Sequence, residues 1–388
     1  MRYSNKILNL AESATIAIST LAYNLKMQGR DILSFSTGEP DFDTPLAIKE
    51  AAISAINEGF TKYTPVAGIL ELREAIANKL RRENQLNYDA SEILVSNGAK
   101  QSLFNIFQAL IDTDDEVIIP APYWVTYPEL TNYSGGKSIL VQTSQKDSFK
   151  LTPDLLKKHI NKQTKLLVLT TPSNPTGMVY SKEEIKELYE VIKDTDIMIV
   201  SDEMYEKLVF DDSFCSIASI NEDLLQRTIT VNGLSKSVAM TGWRIGYLAS
   251  KNQKLVKLMD NLQSQCTSNI NSITQKASLV ALNGKVDQEI ERMRLSFLDR
   301  CNFAFEQINA ISKLNVIKPQ GAFYLFINIE ETKMDSLSFS KQLLEQQGIA
   351  VVPGVAFGMD GYIRLSFACS MEQLQKGIER IKTFVNTL

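Results

Sequence analysis

The sequence predicts an α/β fold: a large unit with a mainly parallel sheet between helices, joined to a smaller α+β unit. Three observations predict it. Short, continuously apolar strands alternate with amphipathic helices through the middle of the chain, as buried parallel strands do. The chain has 388 residues, more than one simple core accommodates. From about residue 285 the strict alternation gives way to a long helix and then strands beside further helices.

In chain order, Thr44-Pro45 opens a helix with Ile48, Ala51, Ala52 and Ala55 on one face and Gly59 near its end. EILVS (92–96) is a strand, NGAKQ a turn, and SLFNIFQAL a helix. EVIIP (116–120) is a buried strand stopped by Pro120, and LLVLT (166–170) is another, followed by PSNPTG. A helix runs on from Ser181 with Glu183 and Glu184 in its first turn, where acidic groups face the positive end of the helix dipole. IMIVSDE (197–203), TITVNGLSK (228–236) and RIGYLAS (244–250) read as strands. QEIERMRLSFLDRCNFAFEQINAI reads as one long helix, with GAFYLFINI and YIRLSFA as strands beyond it. The expected division is a large unit over 46–285 and a small one formed by 1–45 with 286–388.

Composition excludes several classes. The chain is 44% hydrophobic and 22% charged, with no biased tract, so it is neither disordered nor fibrous. Net charge is −4 and no Lys/Arg run is dense enough for a nucleic-acid footprint. Cys215, Cys266, Cys301 and Cys369 form no CxxC pair and read as reduced core residues, with no metal site. The one histidine, His159, lies in a polar helix with Thr152 as N-cap and Pro153 at the first position, and reads as part of a solvated face. Ser-His or Cys-His catalysis would depend on that residue alone. No stretch has signal-peptide or membrane-spanning character, so a cytoplasmic enzyme without membrane contact is expected.

Functional groups of an open parallel sheet collect at the carboxyl ends of its strands. Asn97-Gly98-Ala99-Lys100 follows one strand there, Asn174 another, Asp202 and Tyr205 a third, and Lys236 a fourth, with Arg244 soon after. The glycine turn before a helix makes a nest of N–H groups for an anion, although by itself it reads more readily as an ordinary strand–helix turn. A lysine in a covered cleft loses stability as an ammonium and becomes an amine able to join an aldehyde. Arg244 offers a planar fork suited to phosphate, and Ser235 a hydroxyl. Asp202, ending a buried strand, needs a cationic partner such as a protonated pyridine nitrogen, unless it merely caps a helix. Tyr205 and Asn174 are candidates to hydrogen-bond a phenolic oxygen, unless Asn174-Pro175 is only a turn. Together these groups describe a site for a phosphorylated aldehyde.

The run GLSKSVAMTGWRIG resembles the lysine signature of the class I pyridoxal-phosphate-dependent aminotransferases of fold type I. STGEPDFDTP (36–45), KYTPVAGILELREAI (62–76), PAPYWVTYPE (120–129), TTPSNPTG (170–177), SDEMYE (201–206), GAFY (321–324) and IRLSFA (363–368) extend the resemblance over nearly the whole chain. SATIAIS (13–19) and NGAKQSLFNIFQAL (97–110) are similar to the Ib (gamma) subgroup of bacterial aspartate aminotransferases in particular.

The resemblance implies pyridoxal 5'-phosphate as cofactor and roles for single residues. Lys236 would hold the cofactor as a Schiff base and shuttle the proton. Asp202 would pair with the pyridine nitrogen, and Tyr205 and Asn174 would bind the phenolic oxygen. Ser235, Arg244 and the amides of Gly98, Ala99 and Lys100 would bind phosphate, joined by Tyr63 from the neighbouring subunit of a homodimer with shared active sites. Trp124 would stack on the ring, and Pro122 and Pro175 would be cis. Arg364 would clamp the substrate α-carboxylate beside Gly38, and Lys100, with Ser13 and Thr15, would meet the distal carboxylate of aspartate. The implied reaction moves an amino group from an amino acid to a 2-oxo acid, 2-oxoglutarate above all. The alternatives are aromatic, prephenate or broad specificity, or a lyase of the same fold. A pyridoxal-phosphate regulator of transcription is disfavoured, because the aminotransferase pattern already begins near residue 13.

Overall fold

The computed structural model describes residues 1–11, 14–210 and 214–388, the side chains of 14–16 excepted. Its strands are β1 (Leu33–Ser34), β2 (Ile93–Ser96), β3 (Glu116–Ala121), β4 (Lys137–Gln142), β5 (Thr164–Thr170), β6 (Met198–Asp202), β7 (Thr228–Gly233), β8 (Gly246–Ala249), β9 (Tyr324–Asn328), β10 (Ile349–Ala350), β11 (Val352–Pro353) and β12 (Tyr362–Ser366). Among the described residues the largest sheet has seven strands in the order β2-β8-β7-β6-β5-β3-β4. All run parallel except β8, which runs against both neighbours. The start of β8 therefore lies at the same sheet edge as the carboxyl ends of the other strands.

Alternation along the strands builds the layers. Leu94 of β2 faces the helix Ala99–Leu110, which buries Leu103, Ile106 and Phe107 in the central core. Ile93 and Val95 face the other way, into a cluster with Leu72, Ile76 and Leu80 of the helix Leu70–Asn84. In β5, Leu166 and Val168 join the first core, whereas Leu167 and Leu169 pack with Ile185, Leu188 and Ile192 of the helix Lys182–Ile192. Each such fully buried aliphatic side chain contributes roughly 1.5–3 kcal/mol. Ser181 caps that last helix through a capping box with Glu184, and Thr152 caps Pro153–His159 by accepting from Leu155 N.

A second sheet pairs β12 antiparallel with β9 and β11, placing Arg364 opposite Phe326 and Ser366 opposite Tyr324. The N-terminal segment lies along it. β1 pairs with β10, and Ser366 N donates to Phe35 O at 2.8 Å.

Several details differ from the expectation. β4 is an additional strand, an edge strand whose mixed exposure lacks the apolar run of its neighbours. RIGYLAS starts pairing at Gly246, two residues later than expected, because Arg244 takes a left-handed turn (φ 55°). Cys266 is exposed at the end of the helix Gln253–Cys266 and Cys215 is half-buried, so only Cys301 and Cys369 are core cysteines. His159 is half-buried, its Nδ1 2.7 Å from Leu155 O. Pro122 and Pro175 follow cis bonds, and so does Pro172.

Candidate active site

A cleft of about 270 Å³ opens at the carboxyl edge of the seven-stranded sheet. Its floor comes from successive strand ends: Lys100 after β2, Trp124 after β3, Asn174 after β5, Asp202 and Tyr205 at β6, Ser235 and Lys236 after β7. Arg244 enters from the start of β8, Arg364 from the middle of β12, and Gly38 from the N-terminal segment.

The helix Ala99–Leu110 starts beside the cleft. Gly98 caps it with φ +82°, and a side chain there would collide with the Arg244 guanidinium. Gly246 lets β8 pass directly against the backbone of Gly98 and Ala99. The first intrahelical bond returns from Gln101 N to Gly98 O at 3.0 Å, so the amides of Ala99 and Lys100 precede it and remain directed outward. Arg244 donates to Thr241 O at 2.9 Å.

Lys236 donates to Gly38 O. Burial pulls its ammonium down to about 8, opposed by Glu39 and reinforced by Arg364 and Arg244. Asp202, 4% exposed, accepts from Tyr127 Oη at 2.7 Å and from Met204 N at 3.3 Å. Burial raises its carboxyl above the usual range against those bonds and the charge of Lys236. Tyr127 also meets Thr170 Oγ1 at 2.8 Å. Trp124 stands edge-on to Tyr127, and Lys100 Nζ lies 4.9 Å from the Trp124 ring centroid. Burial and then Arg244 lower the Lys100 pKa.

Arg364 is 2% exposed. It donates to Asn174 Oδ1 at 2.9 Å and to Ser36 O at 2.7 Å, while its Nε–H is buried without a partner. Among the described residues no carboxylate lies within ion-pair distance of Arg364, Lys100, Lys236 or Arg244, and no cation within that distance of Asp202. Isolated buried charges are costly, which applies to Arg364, Asp202 and Lys236, while Lys100 and Arg244 stand exposed at the rim. This set therefore fits a ligand that brings anionic groups to the cations and a positive ring nitrogen to Asp202.

Gly98 itself sits behind Arg244 and shapes the cleft through its backbone. Tyr63 is not brought to the cleft of its own chain; it is 91% exposed. Ser13 lies outside the described residues, as does the side chain of Thr15. Val125, Tyr127, Thr170, Met204 and Tyr324 line the cleft without having been singled out from the sequence. Tyr127 and Tyr324 stood inside the quoted runs PAPYWVTYPE and GAFY, which was the one signal available. Among the described residues there is no His/Cys/Asp/Glu cluster suited to a metal, and no helix long and apolar enough to cross a membrane.

A strand-end amine with a depressed pKa, an unpaired buried acid and a buried guanidinium define an enzyme site for an anionic substrate. The chain belongs to the aminotransferase class I and II family, whose model matches residues 30–381. It is 44% identical to an aspartate aminotransferase of Bacillus subtilis over 99% of both chains. It is 43% identical to an aspartate/prephenate aminotransferase of Nitrosomonas europaea over 100% of both. Its fold superposes on the aspartate aminotransferase of Thermus thermophilus solved with maleate, with a TM-score of 0.95 and 41% identity over 99% of this chain and 100% of that one. A Rhizobium meliloti aspartate aminotransferase gives 0.96 and 39%, covering 100% of this chain and 99% of that one.

Proposed function

We propose that the chain moves the α-amino group of aspartate to 2-oxoglutarate, with pyridoxal 5'-phosphate as cofactor. The observation that supports this best is the set of unpaired charges in one cleft: Arg364 and Lys100 for two carboxylates, Arg244 for phosphate, and Asp202 for a ring nitrogen. Pyridoxal phosphate supplies an aldehyde that joins an amine and a ring that takes up the electrons left when an α-proton departs. Lys236 would hold that aldehyde, and its free amine would take the substrate α-proton and return it. Asp202, fixed by Tyr127, keeps the ring nitrogen protonated. Tyr205 and Asn174 serve the phenolic oxygen, and Trp124 covers the ring. Ser235, Arg244 and the amides of Ala99 and Lys100 hold the phosphate, whereas the Gly98 amide donates to Ser96 O at 2.8 Å and drops out of the expected set.

Arg364 takes the α-carboxylate beside Gly38, and Lys100 takes the distal one, with Ser13 and Thr15 as helpers. The maleate bound to the Thermus thermophilus relative is itself a four-carbon dicarboxylate. The exposed Tyr63 serves the phosphate site of a second copy, which makes the working unit a homodimer. In this reading 46–285 form the cofactor-binding part and 1–45 with 286–388 close over the substrate, in the cytoplasm. Prephenate as an additional acceptor is the second reading, favoured by the name of the Nitrosomonas europaea relative.

The test is a panel of amino donors against 2-oxoglutarate and prephenate, with borohydride fixation of the cofactor. Aspartate should lead the panel and the reduced adduct should map to Lys236. Mapping to another lysine, or release of an oxo acid without any acceptor, would overturn the reading.

A further inference from the structure

Tyr324 begins β9, and the antiparallel register puts it diagonally next to Arg364 on the same sheet face. It is fully buried, and its hydroxyl lies 2.8 Å from the Tyr205 hydroxyl. The Arg364 guanidinium lies 4.4 Å from the Tyr324 ring centroid and 5.1 Å from that of Phe357, so it packs against two rings. Gly38 completes the arrangement: a Cβ there would stand 3.0 Å from the Tyr324 hydroxyl.

We propose that Tyr324 is a positioning residue with two tasks: its hydroxyl aims the Tyr205 proton into the cleft, and its ring fixes the Arg364 fork. One proton lies between the two hydroxyl oxygens, and either group can donate it. When Tyr324 donates, the Tyr205 proton is left free for an acceptor in the cleft, and the donated bond polarises Tyr205 into a stronger donor. Asn174 Oδ1 accepts from Arg364, which leaves the Asn174 amide NH2 as a donor distinct from the Tyr205 hydroxyl. Burial holds both phenols protonated, so neither hydroxyl is lost as a donor near neutral pH. Removing the Tyr324 hydroxyl frees Tyr205 to rotate its proton away from the cleft. Removing the ring as well takes away one wall of the Arg364 slot.

The inference rests on the cofactor reading, and its test separates the two. The protein reconstituted with pyridoxal phosphate is titrated with pH by visible absorbance, without substrate, and then with maleate as an unreactive dicarboxylate. A hydrogen bond to the phenolic oxygen withdraws charge that otherwise retains the neighbouring proton. Tyr324→Phe should therefore raise the absorbance midpoint by roughly 0.3–1 pH unit and keep maleate affinity within about twofold, since the ring remains. Tyr324→Leu should raise the midpoint similarly and weaken maleate binding about 3–10-fold. Retained circular dichroism and melting temperature in Tyr324→Phe show that the fold is intact. Wild-type protein without cofactor absorbance would overturn both readings. A titrating wild type with an unchanged midpoint in Tyr324→Phe, or undiminished maleate affinity in Tyr324→Leu, would overturn the role of Tyr324 alone.

Discussion

Two groups of charges lie on opposite sides of β6 and β7 and are built in opposite ways. Behind the sheet, Lys79 pairs with Glu206 and sits 3.4 Å from Glu83, and Lys207 reaches Glu83 at 2.7 Å. Asn84 donates to Glu206 at 2.6 Å and accepts from Lys79 at 2.8 Å. In the cleft, among the described residues, Lys236, Arg244, Arg364 and Lys100 have no carboxylate within ion-pair distance, and Asp202 accepts from a hydroxyl and an amide. A charge cluster that completes itself belongs to the fold. One that leaves like charges together gives up stability and regains it when a ligand binds.

The contrast can be broken most sharply with two lysine variants. Lys236→Ala should bring transamination down to the background rate while leaving the urea midpoint of the cofactor-free protein unchanged or raised, because a desolvated cation is removed. Lys79→Ala should do the reverse: it leaves Glu206 without its cation, while Glu83 keeps Lys207, and costs about 3–5 kcal/mol of stability, with activity per folded molecule retained. Equal stability losses in the two variants would show that the distinction does not hold.

Asp202→Ala comes next. It removes the one carboxylate at the cleft floor and leaves Tyr127 Oη with Thr170 alone. Turnover should fall by about 10²–10³-fold, the scale for removing one preorganised electrostatic partner, while the cofactor is still retained through its phosphate. Stopped-flow rates of the half-reaction with aspartate report this directly.

Lys100→Ala sharpens the comparison at the mouth of the cleft. Loss of a desolvated contact to the distal carboxylate should cost about 2–5 kcal/mol in kcat/KM for aspartate and much less for phenylalanine. An equal loss for both donors would mean that the cation over Trp124 serves the cofactor or the fold.

The fold is legible in the sequence where one physical signal dominates. Runs such as EVIIP and LLVLT are apolar on both faces because β3 and β5 are covered on both sides. β4 is hidden because an edge strand needs no such run. Strand-end residues such as Asp202 and Lys236 can be found because a charge at the end of an apolar segment is conspicuous. Tyr127 and Tyr324 cannot be found that way. A buried tyrosine reads as core from sequence, and only the 2.7 Å bond to Asp202 and the 2.8 Å bond to Tyr205 separate these two from the other buried tyrosines. Arg364 became readable only through its motif, since a lone arginine inside a strand carries no sign of its missing partner. Likewise Arg244 reaches the cleft because β8 runs antiparallel, and the neighbouring parallel strands give no hint of that reversal.

The smallest predicted effect concerns Glu203, which follows Asp202 directly yet serves the other side. It is fully buried, accepts from Ser201 Oγ at 2.8 Å and Ser216 Oγ at 2.7 Å, and leaves Oε2 without a partner. Burial, followed by the charge of Glu206, pushes its carboxyl up to about 7, against the bonds from Ser216 and Ser201 and the charge of Lys79. Tyr88 and Tyr247 also feel its charge, and both remain protonated phenols because burial raises their pKa. The unfolded chain gives up this proton near the ordinary value of 4.5, the folded chain near 7. Between those values the folded form binds more protons, so the contribution is full below about 4.5 and is lost as pH rises through 7. Glu203→Gln keeps the acceptor for both serines and has no proton to lose. It should therefore match wild type near pH 5 and gain about 1–3 kcal/mol over it by pH 8, with turnover preserved because the side chain points away from the cleft. Urea unfolding at the two pH values measures this. A stability difference independent of pH would show that Lys79 keeps Glu203 ionised throughout, and the cluster behind the sheet would then be fully paired.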